Sequence, residues 1–217
     1  AWTTSFTPPT GTFSGRSVVA LPDGKVLVGG SGSLGGRANL IRLNANGTID
    51  PTFTLPEPNG PVNALAMQDD GKVIVGGEFT NLGHDKLATE TEAVSRFPSS
   101  TTPRTGLTRL NADGSDDATF ANRGFHQVRS LAARGDCIAV GGMEKQYSAI
   151  VTVHTSSSTA PPGYVEIDQA AASLLGRDGA ILATQPVREI PQAVALQPGN
   201  RMLFDSRRRS LIDSITY

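Results

Sequence analysis

The sequence predicts an all-β chain built from stacked copies of one unit. Two observations carry that expectation. The first is repetition: LPDGKVLVGG, Leu21 to Gly30, returns almost unchanged as QDDGKVIVGG, Gln68 to Gly77. A single catalytic motif needs one copy, whereas a unit that buries its apolar faces against its own neighbours needs several. The second is the content of each copy. Short Val-, Leu- and Ile-rich runs are parted by Asp-Gly, a strong short-range hairpin signal. No stretch shows sustained helical periodicity. Four short strands per unit, at ~40–50 residues per unit, form the pattern of a propeller blade. The expected fold is a β-propeller of about four blades in a single domain, residues 1–217.

The first unit spans residues 16–53. VVAL and KVLVGG flank the Asp23-Gly24 turn, and Gly29-Gly30 ends the second strand. LIRLNANGTIDPTF, Leu40 to Phe53, supplies two more strands about Asn46-Gly47. The second unit, residues 60–120, closes on LTRLNADGSDDATF, Leu107 to Phe120. An insertion from Glu78 to Thr105 lengthens it between its second and third strands. The third unit, residues 126–183, opens with VRSLAARGDCIAVGG, Val128 to Gly142. Tyr164 to Ala171 fits its third-strand slot, with Arg177-Asp178-Gly179 as a competing hairpin. Ala170 to Leu175 reads as either strand or one helical turn. The fourth unit, residues 190–217, opens with AVALQPGNRMLFDS, Ala193 to Ser206, where Asp205-Ser206 replaces Gly-Gly. The separation of Phe6 from Phe53 equals that of Gly24 from Gly71, so residues 1–7 are in phase with a last strand. They are expected to complete the fourth blade within the chain; the alternative is an open arc whose edges pair with another chain.

The pattern V-x-A-L-x-x-x-D-G-K-V-L-V-G-G followed by L-x-R-L-N-A-D-G-x-x-D-x-T-F resembles the delta-60 repeat, a bacterial β-propeller family. The first two units match it closely and the last two loosely. The resemblance implies the propeller fold and an extracellular or phage-associated setting. It implies little about activity, because propellers host unrelated functions.

Composition narrows the function classes. The formal net charge is −1 and the pI about 6.3, so no general attraction to nucleic acid or anionic membrane is expected. No apolar run is long enough for a membrane-spanning helix. The first residues do not resemble a signal peptide, and the chain has no initiator Met, so a processed or trimmed chain is expected, from which a signal sequence can already have been removed. One cysteine, Cys137, excludes an intrachain disulfide framework and reads as a filler thiol within a strand. A Gly-, Ser- and Thr-rich, Lys-poor β chain suits a secreted or virion-borne protein.

The chemistry-bearing motifs point away from catalysis. Gly30 to Gly35 has the spacing G-x-G-x-x-G but lacks the helix that would hold a phosphate. Asn111 to Asp117 groups oxygen ligands as a calcium loop does, yet lacks the Glu an EF-hand loop needs, and reads first as a β-turn. His84, His126 and His154 lie outside metal-ligand spacing of one another and of Cys137. Asp23, Asp70 and Asp178 each precede Gly and read as turn formers. No catalytic residue, cofactor or metal is expected. The insertions, Glu78 to Thr105 in the second unit, Met143 to Gly163 in the third and Arg207 to Arg209 in the fourth, fall between second and third strands, and topology gathers them on one face, where loops on a rigid scaffold tend to carry function. Candidate partner-binding residues on that face are His84, Arg104, His154, Arg207, Arg208 and Arg209. Trp2 packs beside a closing first strand or anchors a neighbouring chain.

The function expected is therefore a non-catalytic structural or recognition propeller in an extracellular or virion assembly, such as a phage tail or capsid attachment. Its partners are other protein subunits, as a homo-oligomer or in a larger assembly, with glycan a further partner. Nucleic acid and membrane insertion are not expected. The alternatives are a bacterial surface protein that binds carbohydrate or peptide, and a glycan-active enzyme.

Overall fold

A computed structural model describes residues 9–53, 57–82, 102–121, 124–149, 164–187, 189–199, 201–205 and 212–216. Among them the chain forms four antiparallel meander sheets and no helix. The first sheet holds β1 (Gly11–Ala20), β2 (Val26–Leu34) and β3 (Arg37–Leu43). The second holds β4 (Val62–Met67), β5 (Val73–Gly77) and β8 (Leu107–Leu110). A small ribbon of β6 (Asn81–Leu82) and β7 (Thr102–Pro103) brackets the second insertion. The third sheet holds β9 (Phe125–Arg134), β10 (Cys137–Ala149), β11 (Tyr164–Gly176) and β12 (Ile181–Pro186). The fourth holds β13 (Val194–Gln197), β14 (Arg201–Asp205) and β15 (Ile212–Thr216).

The sheets stack face to face as propeller blades do. The first strand of each packs beside the first strand of the next, β1 on β4, β4 on β9 and β9 on β13. Three apolar cores fill the three junctions. Leu27 and Leu40 meet Val62, Leu65, Val73 and Val75 in the first. Ile74 and Leu107 meet Val128, Ile138 and Val140 in the second. Cys137, Ala139, Ala172 and Leu174 meet Met202 and Phe204 in the third. The middle sheets are thus buried on both faces. This explains why KVIVGG and CIAVGG read as continuous apolar runs instead of alternating ones. Among the described residues the fourth sheet makes no comparable packing with the first. Residues 1–7 lie outside the described residues, and so does the expected closure through Phe6.

The Gly-Gly pair has a steric reason. A Cβ on Gly29 would sit 2.5 Å from Val62 Cγ1, and one on Gly76 would sit 2.5 Å from Val128 Cγ1 and 2.9 Å from Leu131 Cδ1. The bare backbone lets the next sheet's first strand close in. Gly76→Ala is expected to lower stability by about 1–3 kcal/mol through overpacking of the second junction. Urea unfolding that leaves the midpoint unmoved would reject that account of the glycine.

The rest of the repeat is a polar latch. In the first unit Asp50 accepts hydrogen bonds from Lys25 Nζ (2.8 Å), Arg42 Nε (2.7 Å), the Thr52 amide (2.9 Å) and Thr52 Oγ1 (2.7 Å). In the second, Asp117 accepts the same set from Lys72 (2.7 Å), Arg109 (2.8 Å), the Thr119 amide (3.0 Å) and Thr119 Oγ1 (2.6 Å). Each arginine also lies over the phenylalanine that ends its unit, Arg42 4.5 Å from the Phe53 ring centre and Arg109 5.0 Å from that of Phe120. Each donates onward to the next sheet's hairpin, Arg42 to the carbonyls of Ala112 and Asp113, Arg109 to that of Arg177. The phenylalanines support the same hairpins from below. A Cβ on Gly114 (φ +97°) would meet the Phe53 ring, and one on Gly179 (φ +85°) the Phe120 ring at 3.0 Å.

Two expectations are corrected, and one open alternative is resolved. The fourth strand of the first two units shrinks to single bridges, Leu43 to Ile49 and Leu110 to Asp116. The reason is that Asp50 and Asp117 turn the chain onto their own Thr amides two residues on, which ends the pairing. The third-strand slot of the third unit is filled by Ala172 to Gly179, not Tyr164 to Ala171. Gly179 over Phe120 and the Arg177 carbonyl on Arg109 identify the Arg177-Asp178-Gly179 hairpin as the equivalent of Ala112-Asp113-Gly114. Tyr164 to Ala171 instead extends β11 along β10, so the third insertion leaves from a long two-stranded stem. Ala170 to Leu175 is strand throughout.

Candidate interaction surface

Of the sequence-predicted partner-binding residues, His84, His154, Arg207, Arg208 and Arg209 lie outside the described residues. Arg104 is described and is already engaged. Its Nη2 lies 2.7 Å from Asp116, whose carboxylate also accepts from Thr108 Oγ1 at 2.8 Å. Both Arg104 and Asp116 are largely buried. Arg104 therefore pins the returning end of the second insertion onto its sheet and has little left to offer a partner.

The other motifs resolve into structure. Gly30 to Gly35 runs along β2 into the turn before β3. In Asn111 to Asp117, Asp113 Oδ1 accepts from the Ser115 amide (2.8 Å) and hydroxyl (2.7 Å), and the Gly114 amide donates to the Asn111 carbonyl. Asp116 and Asp117 are held by Arg104, Lys72 and Arg109. The segment is a hairpin turn whose carboxylates all have protein donors. Asp23, Asp70 and Asp178 each accept from the amide two residues on, as turn formers do. Cys137 is buried in the third junction. Burial, aided by the Asp136 charge, pushes its thiol up and away from reactivity. Glu144 is buried beside Ser173 and Thr184, and burial raises its carboxyl above the ordinary value despite their hydrogen bonds.

A cluster that the repeat pattern conceals emerges from strand register. Each of the first three sheets carries a β-bulge in its first strand, opposite the Gly-Gly pair. The register skips Arg16 between Gly15 and Ser17, Asn63 between Val62 and Ala64, and Arg129 between Val128 and Ser130. A bulge adds one residue and re-aims its side chain. Here three equivalent bulges on three neighbouring strands aim polar side chains at one another. Arg16 Nη1 donates to Asn63 Oδ1, and Arg16 Nη2 lies 3.4 Å from Ser31 Oγ. Asn63 Nδ2 donates to Glu78 Oε1 (3.2 Å) and to the Val128 carbonyl (2.9 Å). Gln127 Nε2 donates to the same Glu78 oxygen at 3.1 Å. Burial works against the ionised Glu78. The hydrogen bonds from Gln127 and Asn63, with the charges of Arg129 and Arg16, outweigh it and hold the carboxyl below its ordinary value.

The cluster thus joins the first, second and third sheets at the end where the second insertion departs, and Glu78 is that insertion's first residue. Among the described residues two guanidiniums surround one carboxylate, leaving one positive charge in excess. Asn63 and Gln127 are committed to Glu78, while Arg129 is exposed and makes no side-chain hydrogen bond among the described residues. None of these residues was singled out from the sequence. A repeat alignment shows Arg, Asn and Arg at one position and offers no common chemistry to notice.

The family model described as a domain of unknown function (DUF5122) β-propeller matches residues 21–53, 68–87 and 95–120. No curated protein matches the chain. Similar solved structures include a proposed gluconolactonase, at 16% identity and TM-score 0.46, covering 94% of this chain and 58% of that one. A Bacteroides caccae protein of unknown function has 11% identity and TM-score 0.44, covering 94% and 61%. The WD40 domain of Neurospora crassa Pan2 has 11% identity and TM-score 0.33, covering 93% and 64%. The chain spans less than two thirds of the length of each of these three. The four stacked meanders and the family match make the chain an all-β propeller built from sequence repeats.

Proposed function

We propose that this protein is a non-catalytic recognition propeller of the delta-60 kind, and that the bulge cluster around Glu78 is its reading surface. The ligand group is a carboxylate, and the setting an extracellular or virion assembly. One observation carries the reading: three equivalent bulges bring Arg16, Asn63 and Arg129 from three sheets to one exposed place with a surplus positive charge. A guanidinium matches a planar carboxylate through two parallel N–H donors, and among the described residues no side chain takes up those of Arg129. The described aspartates that might serve chemistry instead are tied into the scaffold, Asp50 and Asp117 by Lys and Arg, Asp116 by Arg104, and Asp205 by two amides.

Calorimetric titration with an oligomer of a hexuronic acid, its neutral hexose counterpart, and an acidic peptide tests this. Carboxylated probes are expected to bind and neutral ones not, with affinity falling as salt rises. The uronate and peptide arms separate a glycan source of the carboxylate from a protein one. Arg129→Ala should weaken binding about tenfold, the worth of one charge-assisted hydrogen bond. Equal binding of the neutral sugar, or no effect of Arg129→Ala, would sink the proposal. Turnover of the uronate oligomer would favour the enzyme reading over the recognition one.

A further inference from the structure

The three junctions between sheets share one steric plan. The sheet in front offers a small residue on its second strand: Gly29, Gly76 or Gly141. The sheet behind inserts a bulky one from the start of its first strand or from just before it. Val62 meets Gly29, Val128 meets Gly76, and Pro191 Cβ lies 2.9 Å from where a Cβ on Gly141 would be. Strand register extends the plan to both ends of the stack. Gly15 pairs with Gly30 as Val62 pairs with Gly77 and Val128 with Gly142, so Gly15 occupies the inserting position of the first sheet. Val194 pairs with Phe204 as Leu131 pairs with Val140, so Asp205 occupies the accepting position of the fourth.

At these two end faces the sizes are reversed. The accepting position, glycine three times, is Asp205. Its carboxylate is fixed there by the Gln192 amide (2.8 Å) and the Ala193 amide (3.1 Å). The inserting position, valine or proline three times, is Gly15, which has no side chain. Each change alone would spoil a junction of this kind; together they restore its volume. The apolar neighbours persist. Val18 pairs with Val28 as Leu65 pairs with Val75, so it stands where Leu65 and Leu131 enter their junctions, yet it is 65% exposed. The fourth sheet offers half-buried Leu203 and exposed Ala195 on the matching face. Among the described residues these two faces make no comparable packing with each other. Among the described residues a Cβ on Gly15 would find only Val28 and Phe13 of its own sheet, at 3.8 and 3.9 Å.

We propose that the occupant of the first-sheet face is the fourth-sheet face of a second copy. Gly15 seats against Asp205, and Val18 against Leu203 and Ala195. The contact is head to tail, and two copies satisfy it twice, closing a ring of eight blades, within the usual range for propellers.

Light scattering across a concentration series, on the full chain, reads the outcome. The expected mass is about twice the 22.7 kDa of one chain. Gly15→Val should yield a monomer with unchanged circular dichroism, because the new side chain has room in the isolated chain but meets Asp205 of the other copy. Adding Asp205→Gly to that variant recreates the internal junction and should return the dimer. A wild-type monomer at every concentration, a Gly15→Val protein that still dimerises, or a double variant that stays monomeric would each overturn the proposal. Arg129→Ala leaves both end faces intact and should not change the mass, so the failure of either proposal is visible without the other.

Discussion

Asp117→Ala is expected to lower the unfolding free energy by about 3–5 kcal/mol, because it leaves a buried guanidinium and a half-buried ammonium with no counter-charge. Asp117 is 4% exposed and Arg109 5%, and both of their charges meet in one place. The same substitution frees the Thr119 amide and hydroxyl, which ends the turn that carries Phe120 beneath the third sheet. Loss at this site should therefore loosen the second and third sheets together. Urea unfolding measures the size of the effect. A change below about 1 kcal/mol would mean that the latch is only a surface ion pair.

The same residue predicts a pH dependence. Burial alone would raise the Asp50 and Asp117 carboxyls, but Lys25 and Lys72, the Thr52 and Thr119 donors, and the two arginines outweigh it. Both carboxyls are held well below their ordinary value. A depressed folded-state value means that the unfolded chain binds protons more readily on acidification. The stabilisation is fully present above the unfolded-state value near ~4 and is lost as pH falls from there toward the lower folded value. Asp117→Ala should flatten that acid limb as well as lower the plateau. An acid limb of unchanged slope would contradict the assignment.

Phe120→Ala is expected to cost about 3–5 kcal/mol, the range for emptying a buried aromatic site. Phe120 is 2% exposed and sits in the second junction with Phe125, Val128 and Ile138. Its ring bears the Arg109 guanidinium on one side and the Gly179 hairpin on another. The third sheet cannot easily settle into the vacancy, because Gly179 is held by the turn hydrogen bond from its amide to the Gly176 carbonyl. Phe120→Leu retains much of the apolar volume and should recover part of the loss. Thermal unfolding of the two variants decides it. Equal behaviour would mean that ring shape and the guanidinium contact contribute nothing beyond bulk.

Much of this architecture is written in local chemistry. Asp-Gly turns, apolar runs and a fixed separation between copies are properties of short segments, so the number of sheets and their order were legible from the residues. The latch was half legible. Lys, Arg, Asp, Thr and Phe recur at matched places in the first two units, but only folding shows that they converge on one carboxylate. The third unit was misaligned because its third strand has Leu174 where the others have Arg42 and Arg109. Without that arginine, the Tyr164 to Ala171 segment looked an equally good match.

The proposed reading surface was not legible at all, and the reason is physical. A bulge is a slip between two paired strands, fixed by hydrogen bonds that span many residues, and no one-dimensional pattern records it. Arg16, Asn63 and Arg129 share a position without sharing an identity, so repetition conceals them. The exchange of Gly15 and Asp205 is hidden in the same way. Each looks like a weak copy of the repeat until the packing of one sheet on the next shows which residues must share a volume. Sequence alone determined that this chain is a row of similar sheets, because hairpin and strand preferences act over a few residues. Tertiary structure alone decided where the sheets present charge and which residues share a volume where one sheet packs on the next. Those depend on contacts between segments that are distant along the chain.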